Sequence, residues 1–336
     1  GWEIDWRIPM PFLLFIAISL SFSAVAQTPS SKKILASGVE DKDFVVVERV
    51  RFQDTMGFDR PVEAFSVLLP KGWKREGGVR RGNVQGCPGE LVRPVMKVSS
   101  PDGSLQFDMF GVRAFSGTDD QMLLQVMQAG ARAGGCQINR PFTAEQYVDG
   151  FAQRDLGAPA SNIRSDEARL AIVRPLDEQA NSVARQYGQD SQQQSTMATG
   201  DLTWPDGTAG ILHVSVTNVV QRQPNYASGG ATTMSTTIAS AVLMRFAASR
   251  REEGARMMSM IMASHRSNPV WQDAKSRFLT QLGNREHAGN MERIRLMGEQ
   301  SKAYAEAQNT ASEQRMRSWE ARQDSQDRQQ KSFVQA

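Results

Sequence analysis

The chain has 336 residues, 40% apolar and 22% charged, with a formal net charge of +3. That length allows one or two domains and at least one sizeable core. The basic residues are scattered and do not form runs, which argues against nucleic acid as a partner.

The first element in chain order is the apolar, uncharged run Pro11–Ala26. A membrane-spanning helix needs roughly 20 such residues, whereas the core of a signal peptide needs about 7–15 followed by small residues. Ala24-Val25-Ala26 supplies the small-residue site, so residues 1–26 read as a signal peptide cleaved before Gln27. An uncleaved anchor is the alternative. Arg7 is the only cation ahead of the run, and the chain begins at Gly1, with Met10 a poor alternative start. Cleavage leaves 38 basic and 34 acidic residues. The expected compartment is periplasmic or extracellular, with no integral membrane span after cleavage.

An oxidising compartment favours pairing of the two cysteines, Cys87 and Cys136. Such a disulfide would stabilise the fold by roughly 3–4 kcal/mol in the chain-entropy model. A reactive thiol would need an electropositive neighbour, and neither Gly86-Cys87-Pro88 nor Gly135-Cys136-Gln137 offers one.

Residues 27–40 read as a linker and 41–268 as an α+β globular domain. Val45–Phe52 predicts a first strand. Phe65, Val67 and Leu69 recur with period two and predict a second, ended by Pro70-Lys71-Gly72. Val95–Val98 and Leu105–Met109 flank Pro101-Asp102-Gly103, a hairpin signal. Met122, Leu123, Val126 and Met127 have helical spacing. Thr143 and Gln146 form a capping box ahead of the stripe Tyr147, Val148, Phe151. Ala168–Ile172 suggests a short strand, and Leu176–Tyr187 a helix. Gln- and Ser-rich residues 188–201 read as a mobile loop. Pro205-Asp206-Gly207 signals another hairpin. Beyond it Leu212, Val214 and Val216 alternate with His213, Ser215 and Thr217, and Met234–Phe246 carries a second long strand. These two strands read as antiparallel with one buried and one polar face. Met257, Met258, Ile261 and Met262 predict a last helix. Tight turns between successive strands imply a mainly antiparallel sheet with helices packed on it.

The run Ala64–Trp73 (AFSVLLPKGW), the turn Ser100-Pro101-Asp102-Gly103-Ser104 and the late helix ending Ala263-Ser264-His265-Arg266 resemble the Mog1/PsbP-like α/β/α sandwich over roughly residues 40–265. The whole chain is also similar to uncharacterised secreted bacterial proteins with a Gln/Arg/Met-rich tail. The resemblance implies a binding or assembly module and not an enzyme. It carries over no functional residue, and the segment 110–200 departs from the compact pattern.

Residues 269–336 read as a Gln- and Arg-rich helical tail. Its apolar positions are too broken for sustained heptads, so a coiled coil is not expected. It is either a solvated helix or a partner-binding helix with Met316 and Trp319 as anchors. The chain stops at Ala336 without a capping signal, and more sequence is expected to follow.

No zinc spacing, nucleophile elbow or phosphate loop occurs, so no metal, cofactor or catalytic set is expected. The functional expectation is an exported non-enzymatic binding or assembly module, with an envelope or other protein as partner. The alternative is a secreted hydrolase built around His213 or His265, without a recognisable motif.

Overall fold

A computed structural model describes residues 45–56, 60–82, 86–132, 135–225 and 230–282, with Thr310, Gln314 and Arg317. The run Pro11–Ala26, read from the sequence as a signal peptide, and the proposed anchors Met316 and Trp319 lie outside the described residues.

Two strands of 18 residues, β10 (Thr208–Asn225) and β11 (Gly230–Ala247), form the spine of the domain. They pair antiparallel along their whole length. β9 (Ser191–Thr203) adds to β10 through the turn at Asp206-Gly207, where Gly207 takes φ +79° and Asp206 Oδ1 accepts from Thr208 N. β8 (Ala160–Ser165) pairs outside β9. On the opposite side β11 is shared by two short strands, β5 (Leu105–Met109) against residues 242–246 and β6 (Arg113–Thr118) against residues 234–239. The predicted Pro-Asp-Gly hairpin joins β5 to β4 (Val92–Ser99), and β3 (Lys74–Arg81) forms the far edge. The resulting order is β3-β4-β5-β11-β10-β9-β8. The small strand β7 (Gln137–Ile138) runs parallel to β6.

One face of this sheet is covered by α2 (Ala144–Asp155), which begins at the expected Thr143/Gln146 capping box. Its stripe Tyr147, Val148, Phe151 and Ala152 packs on Ala198, Leu212, Val214, Ala239 and Ala241. Small residues on the sheet let the helix approach closely. A Cβ at Gly200 would lie 2.7 Å from Val148 Cγ1. Phe142, Tyr147 and Phe151 stack in series with centroids 5.4–5.5 Å apart, adding aromatic contact to the area buried. α1 (Gln121–Arg132) contributes no fully buried residue, and Met122 and Val126 on its apolar stripe are exposed.

The other face is covered as well, by α3 (Glu167–Gln186), α4 (Arg251–Ser264) and a second sheet. That sheet comprises β1 (Val47–Asp54), β2 (Val62–Pro70) and β12 (Arg266–Ser267) in the order β1-β2-β12. α4 closes on β11 at Gly254, where a Cβ would stand 2.4 Å from the Phe246 ring. The disulfide Cys87–Cys136 is formed and ties the segment before β4 to the strand after α1. The fold is therefore α+β with mainly antiparallel sheets.

The structure corrects four readings of the sequence. Residues 188–201 are not a mobile loop, because residues 191–203 form the interior strand β9. Of its polar side chains, Gln193 and Ser195 donate to Asp177 of α3, Thr196 accepts from the first turn of α2 at Ala144 N, and Gln192 and Gln194 are exposed. Residues 168–172 are not a strand but the opening of α3, which runs through Pro175. The polar face of β10 is not solvated, since His213, Ser215 and Thr217 are all buried. The domain does not end at 268. A helix begins at 269, the first compact unit extends to Ser276, and Trp271 is among its most buried side chains. In the second unit residues 277–282, Thr310, Gln314 and Arg317 are helical.

Candidate functional site

α3 runs along the stretch of β9 that β8 leaves unpaired, since β8 reaches only residues 198–202. An open strand edge exposes backbone groups that must find partners. Asp166 N donates to Met197 O, Ser195 N donates to Asp177 Oδ2 at 2.7 Å, and Asn181 both accepts from Gln193 N and donates to Gln193 O. The spacing explains the fit. Four helical residues rise about 6 Å and two strand residues about 6.7 Å, so Asp177 and Asn181 meet Ser195 and Gln193 in step. Asp177 Oδ1 also accepts from Ser195 Oγ and Gln193 Nε2, and Ser195 Oγ bonds Thr217 Oγ1 on β10.

His213 belongs to this buried polar layer and is 3% exposed. Its Nδ1 lies 3.3 Å from Thr199 Oγ1 and 3.6 Å from Asp166 Oδ2, while Nε2 is buried without a hydrogen-bond partner. Burial holds its pKa down at about 4; Arg169 adds to the shift and Asp166 opposes it. The imidazole is neutral at pH 7. A nucleophile–histidine–carboxylate relay places its hydroxyl and its carboxylate on opposite ring nitrogens. Here both polar contacts fall on Nδ1, and the ring is closed to solvent.

His265 lies elsewhere, at the end of α4, stacked on Phe65 at 5.4 Å. Burial brings its pKa to about 4. It lines a cavity of about 140 Å³ between the large sheet and the cover formed by β2, α4 and the helix from 269. Phe65, Val67, Met96, Phe107, Ile238 and Val242 make its walls, with Ser240, Ser267, Gln272 and Lys275 among its polar lining groups. No carboxylate lines it.

The helix that carries Gln272 and Lys275 is pinned in place. Asn268 caps it, accepting from Val270 N, and ties it to β2 by donating from N to Ala64 O and from Nδ2 to Glu63 O. Trp271 Nε1 donates to the fully buried Asp54 Oδ2, which also receives Arg81 at 2.6 Å. Lys275 is half-buried, 5.5 Å from the Trp271 ring centroid, and burial lowers its pKa. It makes no ion pair or hydrogen bond among the described residues. Gln272 Oε1 is buried without a partner.

Of the residues singled out from the sequence, the structure pairs Cys87 with Cys136, and it keeps His213 and His265 in separate environments. Sequence reasoning assigned Trp271, Gln272 and Lys275 to the tail and so missed them. The signal that could have found them is Asn268-Pro269, a helix-start pair two residues before a tryptophan. Among the described residues no group of His, Cys, Asp and Glu could hold a metal ion, and no helix is long and apolar enough to cross a membrane. Comparison with family models, curated proteins and solved structures returns no match for this chain.

Proposed function

We propose that this chain is an exported binding module that takes a small apolar ligand between its two sheets and performs no chemistry on it. The carrying observation is the apolar cavity beside His265, framed by aromatic and aliphatic side chains with a few polar groups converging on it. Ligand sites share that composition. Engineered apolar cavities of about 150 Å³ accept a ring as large as benzene, so this one has room for a ring or a short alkyl chain. Kinship with Mog1/PsbP-like sandwiches, proposed from Ala64–Trp73, would place it among binding or assembly modules. The helical tail, with Met316 and Trp319 as anchors, is the proposed partner contact. Export rests on the leader Pro11–Ala26, and the disulfide is compatible with it. The hydrolase alternative is weaker, because His213 is enclosed and the cavity beside His265 offers no carboxylate to orient that ring.

Calorimetric titration of the purified protein with 1-octanol tests the reading. One saturable site is expected, abolished by Ile238→Trp, which fills the cavity. A non-saturating isotherm, or a site indifferent to that substitution, would overturn it.

A further inference from the structure

Resting on that reading of the cavity, we infer that its ligand carries a carboxylate head on an apolar chain, and that Lys275 is the group that recognises the head. The walls supply no other full charge at neutral pH. His265 is neutral there, and the remaining polar lining is hydroxyl or amide. Lys275 is half-buried and has no anionic partner among the described residues. An ammonium group taken partly out of water without a counter-ion is costly, and such groups are normally paired. A carboxylate entering with its chain along Phe65, Ile238 and Val242 would provide that counter-ion.

Gln272 lies one helical turn before Lys275 and lines the same cavity. Its Oε1 is buried without a donor. Rotating the amide would turn its N–H groups toward the same head, so both open polar groups of the helix would be satisfied by one ligand. Trp271, anchored to Asp54, fixes the helix so that these side chains are presented without reorganisation. A phosphate head would need more cationic donors than this lining offers, and an amine head would be repelled by Lys275.

The test compares octanoate with 1-octanol on the full chain at pH 7. Octanoate is expected to bind at least tenfold more tightly. Lys275→Met should remove that preference, and Gln272→Leu should reduce it in part. Equal affinity of the wild-type protein for the two ligands would overturn the carboxylate inference and leave the binding reading intact. Binding of neither would overturn both. The wild-type comparison decides the point even if a variant fails to fold.

Discussion

Replacing Asp177 by alanine should destabilise the domain more than any other single change on α3. Asp177 is 8% exposed and accepts three hydrogen bonds, from Ser195 N, Ser195 Oγ and Gln193 Nε2. The consequences differ for the three donors. Gln193 is half-buried and can turn to water, and the Ser195 hydroxyl can still donate to Thr217 Oγ1. The Ser195 N–H cannot move, because β9 is held in register by β10. A buried donor left without a partner costs about 1–3 kcal/mol, and a lost bond to a charged acceptor about 1.5–3 kcal/mol. Relief from burying a carboxylate offsets part of this, so a net loss of roughly 2–3 kcal/mol is expected. Urea unfolding followed by far-UV circular dichroism measures it, with the midpoint moving and the slope unchanged. Asp177→Asn should recover much of the loss, because its Oδ1 can still accept from the fixed Ser195 N–H while its N–H₂ faces the Ser195 hydroxyl, which can accept, and the adaptable Gln193 amide. If Asp177→Ala lost less than about 0.5 kcal/mol, the account of α3 as the partner of an open strand edge would be wrong.

Gly254→Ala should cost about 1–3 kcal/mol by overpacking against Phe246, and Phe246→Leu in the same chain should return part of it. Thermal unfolding of the single and double variants reports the coupling. Stability should also fall on acidification. The unfolded chain binds a proton at His213 near the ordinary value of 6.5, while the folded chain does so only near 4. The neutral-ring preference is therefore fully present above 6.5 and is lost progressively as pH drops toward 4. Between pH 7 and pH 5 this amounts to roughly 2 kcal/mol for His213. His265, brought to the same value by burial, adds a term of similar size and the same sign, and Asp108, whose burial raises its pKa, opposes both. The carboxylates held low, such as Asp201 and Asp206, lose their contribution only at lower pH. His213→Gln should flatten the pH 7-to-5 slope in denaturant titrations, and an unchanged slope would place the titration elsewhere.

The local elements that were legible in the sequence are those whose signal lies within a few residues. The Thr143 capping box, the Pro-Asp-Gly turns, the alternation of Leu212, Val214 and Val216 and the stripe of α2 all depend on spacings of two to four residues. The pairing of Cys87 with Cys136 followed from their count and the expected compartment. Tertiary structure decided what lies opposite each face. Residues 191–203 are too polar to read as a strand, yet they form one, and Asp177 and Asn181 of α3 bond the part of its edge that β8 leaves open. His213 stands on a face whose polarity signalled solvent, and α3 covers it. Trp271 and Lys275 looked like tail until the cap at Asn268 and the bond to Asp54, 217 positions away, drew that turn of helix against the cavity. Periodicity reports which side of an element is apolar, because that is a local property of the chain. It cannot report whether a polar side meets water or a matching polar surface, because that depends on contacts between residues far apart in sequence.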